Sequence, residues 1–61
     1  MEPPTIREVV RRLENEGFVK VGQRGSHCRY QKGKLKVTIA GKPSKHLNRK
    51  TWKSIQKQAG W

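Results

Sequence analysis

The sequence has only one cysteine, Cys28, and no run of apolar residues long enough to span a membrane. A single cysteine excludes a disulfide within the chain, and Cys28, His27 and His46 lack the spacing of a zinc finger. We therefore expect no bound metal and no cofactor. Together with the absence of a recognisable signal peptide, these features predict a soluble protein of the reducing cytoplasm.

Acidic residues are missing from most of the chain. All four of them (Glu2, Glu8, Glu14 and Glu16) lie in the first sixteen positions, whereas 12 of the 15 Lys and Arg residues follow Gly17, and the formal net charge is +11. An acid-free basic block of this length predicts a polyanionic partner, because lysines kept for solubility are usually interleaved with acids. Nucleic acid is the first candidate, an acidic protein the second and an anionic membrane the third. A basic surface with no partner is the remaining alternative.

The length of 61 residues is enough for one small domain, 1–61, and leaves no room for a second. The helical pattern is clearest near the N-terminus, where apolar residues recur with a spacing of three and four from Ile6 to Leu13. Thr5 is followed three residues later by Glu8, which is the spacing of a helix-starting capping box. These features predict a first helix over about 5–16.

Apolar residues then alternate with polar ones, which is typical of strands. The alternation predicts three short strands near 19–21, 27–30 and 35–39, with the first turn bracketed by Gly22 and Gly25. The strands are close enough in sequence to pair as antiparallel hairpins.

A second helix is predicted to begin after Asn48, a favourable N-cap residue, and to end at Gly60. Each helix has one apolar stripe and the sheet has one apolar face. The sequence therefore predicts an α+β fold with two layers and the order α-β-β-β-α, in which both helices cover one face of a three-stranded antiparallel sheet.

Period-two alternation also assigns each strand residue to a face of the sheet. The face predicted to pack under the helices carries Val19, Val21, Cys28, Tyr30, Leu35, Val37 and Ile39. The opposite face has no apolar cover and carries Lys20, His27, Arg29, Gln31, Lys36 and Thr38. We therefore expect His27 to be an exposed imidazole beside Arg29 and near Lys36.

An exposed imidazole among cations suits general-base chemistry, because neighbouring positive charge favours the neutral ring, which can accept a proton. RNA offers such a proton on the 2′-hydroxyl beside each phosphate, and Arg or Lys can stabilise charge on the phosphoryl oxygens. The residues alone leave three functions open. They are an RNA-cleaving enzyme that uses His27, a non-catalytic RNA-binding module, and a subunit whose basic face docks an acidic protein.

The chain resembles the HicA family, the toxins of HicA–HicB toxin–antitoxin systems, over nearly its whole length. The resemblance rests on three segments. They are Glu16-Gly17-Phe18 after the first helix, Arg24-Gly25-Ser26-His27, and the closing segment TWKSIQKQAGW at 51–61. It implies a double-stranded-RNA-binding-domain-like fold and an mRNA interferase, a metal-independent endoribonuclease that arrests translation until a HicB-like antitoxin neutralises it. The family's catalytic histidine follows Gly-Ser, a position that His27 occupies here.

Ten further residues are candidates for contact with RNA. Gly25 and Ser26 precede His27, although both also suit a turn with no contact to phosphate. Four cations cluster near the start of the last helix, where backbone amides and the helix dipole favour anions. The full set is Lys20, Arg24, Gly25, Ser26, Arg29, Lys36, Lys42, Lys45, Arg49 and Lys50.

Overall fold

The computed structural model describes residues 2–61. The elements follow one another as α1 (Ile6–Asn15), β1 (Val19–Arg24), β2 (His27–Lys32), β3 (Leu35–Ala40) and α2 (Arg49–Ala59). The strands form one antiparallel sheet in the order β1-β2-β3. The predicted α-β-β-β-α order and α+β class are confirmed.

Both helices begin at the caps that the sequence predicts. The Thr5 hydroxyl accepts a hydrogen bond from the Glu8 N–H at 3.2 Å, and the Asn48 side chain accepts one from the Thr51 N–H at 2.8 Å. Each bond satisfies an N–H group that the helix itself cannot pair. Neither helix is long and apolar enough to cross a membrane.

The two helices cover the same face of the sheet and share one core. No charged residue among residues 2–61 is buried, and Leu13 of α1 and Val37 of β3 are wholly inaccessible. The core consists of Ile6, Val9, Leu13, Phe18, Tyr30, Val37, Ile39, Leu47, Ile55 and Ala59. The opposite face of the sheet is left open to solvent.

A bulge in β1 changes the faces that the alternation predicts. The ladder pairs Gly22 with Arg29 and then Lys20 with Tyr30, so that Val21 is an extra residue with no partner. One inserted residue moves every side chain beyond it to the other face of the sheet.

The prediction that Val19 and Val21 pack under the helices is therefore wrong, since they are 61% and 57% exposed. Lys20, predicted to lie on the open face, is opposite the buried Tyr30 and so lies on the helix side of this edge strand, where its ammonium group donates to Gln23. The first turn is also shorter than predicted, because β1 continues through Gly22 to Arg24.

Trp61, just after α2, makes a hydrogen bond and a cation–π contact with residues at the end of α1. Its indole N–H donates to the Glu16 carboxylate at 2.8 Å, and the Arg12 guanidinium lies 3.9 Å from the centre of a Trp61 ring. Arg12 also donates to Glu16 at 3.0 Å. The hydrogen bonds from Arg12 and Trp61 hold the pKa of Glu16 below its ordinary value.

Candidate functional site

His27 is the first residue of β2 and follows the two-residue turn Gly25–Ser26. Gly25 has a φ of +59°, which glycine adopts without the steric cost that a side chain brings. The His27 imidazole is exposed, and none of the side-chain hydrogen bonds within residues 2–61 involves it. The prediction of an exposed ring on the open face is confirmed.

The sheet register decides which side chains flank His27. Arg24 stands opposite it on β1, and Ala40 stands opposite it on β3. Arg29 follows on the same face of β2, with its guanidinium beside Gly22, where an added Cβ would come within 3.4 Å of an Arg29 nitrogen. Ala40 is too small to cover the imidazole, and Arg24 and Arg29 supply positive charge beside it. An anionic ligand can therefore approach the ring.

Lys36 does not lie near His27, contrary to the prediction. It pairs with Gln31, which is four residues along β2 from His27, about 13 Å at the usual strand rise. Lys36 lines a shallow depression of about 300 Å³ on the open face, together with Val21 and Thr38. Lys36 can therefore contact an extended polyanion along β2, but not the group bound at His27.

The segment between β3 and α2 brings two of the predicted lysines to the β1–β2 turn. The Gly41 N–H donates to the Ser26 carbonyl at 3.4 Å, and the Ile6 N–H donates to the Lys45 carbonyl at 2.9 Å. Lys42 and Lys45 are exposed on this segment. Both therefore lie at the same end of the molecule as the turn.

The two cations at the start of α2 line two other surfaces of the molecule. Arg49 lines a groove of about 580 Å³ between the helices, beside Trp52. Lys50 is on the outer surface of α2 with Lys53 and Lys57. Arg49 and Lys50 therefore line different surfaces of α2, and the predicted contact of the four cations with RNA stays a prediction.

Two arginines of α1 also reach this end, and the sequence prediction missed them. Arg7 and Arg11 line an opening of about 390 Å³ between α1 and β2. We call this opening the α1 groove and define it by Arg7, Val10, Arg11, Ser26, Cys28 and Tyr30. The spacing of four between the two arginines indicates that they share a helix face, but only the fold shows which part of the sheet that face meets.

The second histidine differs from His27 because its ring is already engaged. His46 Nδ1 lies 2.9 Å from the Pro3 carbonyl oxygen, and its Nε2 lies 3.9 Å from a Glu2 carboxylate oxygen. Within the described residues 2–61, no three His, Cys, Asp or Glu side chains come close enough together to hold a metal ion. Of the two histidines, His27 is the one whose ring makes no hydrogen bond or ion pair within residues 2–61.

A family model described as the HicA toxin of bacterial toxin–antitoxin systems matches residues 6–61, a span that includes both helices, the sheet and His27. The chain belongs to the HicA toxin family. A chain of a toxin–antitoxin complex from Streptococcus pneumoniae is 36% identical to this HicA-family protein, with a TM-score of 0.77 over 97% of this chain and 100% of the other. The comparison with curated proteins finds no match. The family resemblance noted in the sequence is confirmed.

Proposed function

We propose that this HicA-family toxin is an endoribonuclease that cleaves mRNA and so arrests translation, with His27 as its general base. The observation that carries the proposal is the exposed imidazole of His27, which makes no hydrogen bond to the described part of the chain and is flanked by Arg24. HicA toxins generally act as ribonucleases, and membership of that family supports the proposal. Since bacterial mRNA is cytoplasmic, this activity belongs to the cytoplasm.

In the proposed reaction, a ring nitrogen of His27 removes the proton of an RNA 2′-hydroxyl. The 2′-oxygen then attacks the adjacent phosphorus, and the bond from phosphorus to the 5′-oxygen breaks. The leaving 5′-oxygen takes a proton from water, which gives a 2′,3′-cyclic phosphate and a 5′-hydroxyl, and the hydroxide that remains takes the proton from His27 and restores the base. Arg24 and Arg29 stabilise the charge that develops on the phosphoryl oxygens. This scheme uses no metal ion and no cofactor.

In this proposal the RNA strand binds at the end of the molecule that carries the β1–β2 turn. Lys42 and Lys45 lie beside the turn, where they can pair with phosphates on either side of the cleaved bond, while Gly25 and Ser26 form the turn itself. Phosphate contacts of this kind position a strand without reading its sequence. The more distant candidates (Lys20, Lys36, Arg49 and Lys50) would contact only longer stretches of RNA.

The reaction is tested with short RNAs that differ at one sugar. We expect a 2′-deoxy substitution at the cleaved nucleotide to abolish cutting there, while the unmodified RNA yields 2′,3′-cyclic phosphate ends detected by mass spectrometry. Efficient cutting of the deoxy substrate would show that the 2′-hydroxyl is not the nucleophile. If neither RNA is cut but both bind, the chain is a non-catalytic RNA-binding module.

A HicB-like antitoxin is the proposed inhibitor, and it acts by covering the His27 end. The net charge of +11 favours an acidic protein there, since complementary charge speeds association. The structural relative from a toxin–antitoxin complex supports such a partner. Modification of histidines by diethyl pyrocarbonate should slow at His27 when the antitoxin is bound. Equal rates at His27 in the free and bound protein would contradict occlusion.

A further inference from the structure

The open face of the sheet has a shallow depression beside β2, with a volume of about 300 Å³. We call it the open-face depression and define it by Val21, Arg29, Gln31, Lys36 and Thr38. Arg29 and Gln31 follow His27 at steps of two along β2, and Thr38 and Lys36 stand opposite them on β3. Residues at steps of two lie on one face of a sheet. The depression and the His27 ring are therefore reached from the same side of the molecule.

The bulge in β1 brings an apolar residue to this depression. Val21 is inserted between Lys20, which pairs with Tyr30, and Gly22, which pairs with Arg29. It lines the depression and is nevertheless 57% exposed. Bulges often redirect a side chain next to a functional site. An exposed valine surrounded by polar residues gains free energy when a flat apolar surface covers it.

The guanidinium of Arg29 lies next to this valine. Its atoms lie 3.4 to 3.9 Å from the point that a Cβ on Gly22 would occupy, and Gly22 directly follows Val21. None of the side-chain hydrogen bonds or ion pairs within residues 2–61 engages Arg29. A guanidinium is planar and stacks on aromatic rings. An unpaired base in the depression would therefore have both an apolar contact and a planar cation beside it.

The charge of the open face suits a polyanion. All four acidic residues precede β1, so the sheet contains no carboxylate side chain. The cations of this face are Arg24 opposite His27, Arg29, and Lys36 at the other end of β2. Lys36 is about 13 Å along the strand from His27 at the usual rise, and neighbouring phosphates of one strand lie closer together than that. Lys36 can therefore contact a phosphate other than the cleaved one.

The edges of the sheet are poorly suited to a protein strand, which would be the alternative ligand. The Gln58 side chain of α2 accepts a hydrogen bond from the Thr38 N–H at 3.1 Å, so α2 occupies part of the free edge of β3. On the other edge, the bulge at Val21 interrupts the regular spacing of β1. Covered and bulged edges disfavour the addition of a strand. The open face, with its cations and Val21, is the surface that a ligand can use.

We propose that single-stranded RNA runs along β2 on the open face, with one unpaired base against Val21 and Arg29 in the open-face depression and a phosphate at Lys36. This subsite positions the strand and takes no part in the reaction. Stacking and phosphate contacts do not read sequence, so the subsite accepts any base. It does not accept a duplex, whose bases are already paired. The inference rests on the proposed RNA-cleaving function, because it extends the same site along the strand.

The first test measures binding of 2′-O-methyl oligonucleotides, which lack the nucleophile and so stay intact. Val21→Ser removes the apolar contact and should weaken binding about 3- to 10-fold. Val21→Tyr enlarges the stacking surface and should strengthen binding by about the same factor. An abasic residue is then placed at each position of the oligonucleotide in turn. At one position it should abolish the difference between the two variants.

The second test measures the salt dependence of binding for two lysine variants. Lys36→Gln should lower the log–log slope by about 0.7, the value of one phosphate contact on a single strand. Lys53→Gln is the matched control, because it makes the same change of charge on the outer surface of α2. It should leave the slope unchanged. Thermal melting of both variants should match the wild type, since both lysines are exposed.

The outcomes separate this inference from the ribonuclease proposal. Equal affinities of the Val21→Ser and Val21→Tyr proteins, or a difference that survives at every abasic position, would overturn the subsite even if the wild type cuts RNA. If binding follows the predictions although the wild type cuts no RNA, the subsite stands and the ribonuclease proposal falls. Loss of antitoxin binding in Val21→Ser with RNA binding unchanged would make the depression a docking surface for protein and would also overturn the subsite.

Discussion

Substitution of glycine by alanine should change the stability of the fold in opposite directions at two positions of the same hairpin. Gly25 has a φ of +59°, and an added Cβ would meet nothing within 4 Å, so the change Gly25→Ala brings backbone strain alone. That strain is worth roughly 1–2 kcal/mol, and the loss of unfolded-state freedom offsets about 0.4–1 kcal/mol of it. The net expectation is a destabilisation of about 0.5–1 kcal/mol.

Gly22 is the matched control because its φ is not in the left-handed region, and the atoms that a Cβ would approach belong to the flexible end of Arg29. Gly22→Ala should therefore stabilise the protein by about 0.4–1 kcal/mol. A domain of this length has only about 3–9 kcal/mol of stability, so urea denaturation resolves both changes. Equal midpoints for Gly25→Ala and Gly22→Ala would refute the assignment of strain to the turn before His27.

Two further predictions concern charge. The carboxylate of Glu16, whose pKa is lowered by its hydrogen bonds to Arg12 and Trp61, stabilises the fold at neutral pH, and this stabilisation is lost as the pH falls from the ordinary pKa through the lowered one. Wild-type and Glu16→Gln proteins should differ in denaturation midpoint at pH 7 and converge in strong acid; a constant difference would contradict this. Affinity for single-stranded RNA should fall with salt at a log–log slope of about −0.7 per phosphate contact, and binding that is independent of salt would exclude a phosphate-dominated interface.

Features that depend on local chemistry could be predicted from the sequence. Thr5 and Asn48 have side-chain oxygens that bond to the next exposed N–H groups, and these short-range bonds fix where each helix begins. The exposed position of His27 follows from the two-residue turn and the alternation along β2. These features need no knowledge of how distant segments pack.

The sequence prediction was wrong where the position of a side chain depends on one inserted residue or on the register between two strands. The bulge at Val21 adds a residue to β1, which a strict period of two cannot represent, and so Val19 and Lys20 exchange faces. Lys36 was expected near His27, but the ladder between β2 and β3 places it opposite Gln31. The pairing partner of each strand residue depends both on the geometry of the turns and on which face of the sheet is buried. The residues of one strand alone do not determine it.

The part played by α1 in the site could not be predicted because it depends on tertiary packing. Arg7 and Arg11 are ordinary exposed residues of an amphipathic helix in the sequence. They become part of the α1 groove only because residues of α1 and of β2 line the same opening in the fold. Their distance from His27 in sequence carries no information about that arrangement.

The most direct test of the account is the rate of RNA cleavage by His27→Ala relative to wild type, with His46→Ala as the matched histidine control. Removal of a general base should lower the rate by about 10²–10⁴, and an exposed strand residue should change stability by no more than about 0.5 kcal/mol. Binding of RNA should persist, since Arg24 and Arg29 remain, and His46→Ala should cut RNA at close to the wild-type rate. If folded His27→Ala also cleaves RNA at close to the wild-type rate, His27 is not the base and the proposed mechanism is wrong.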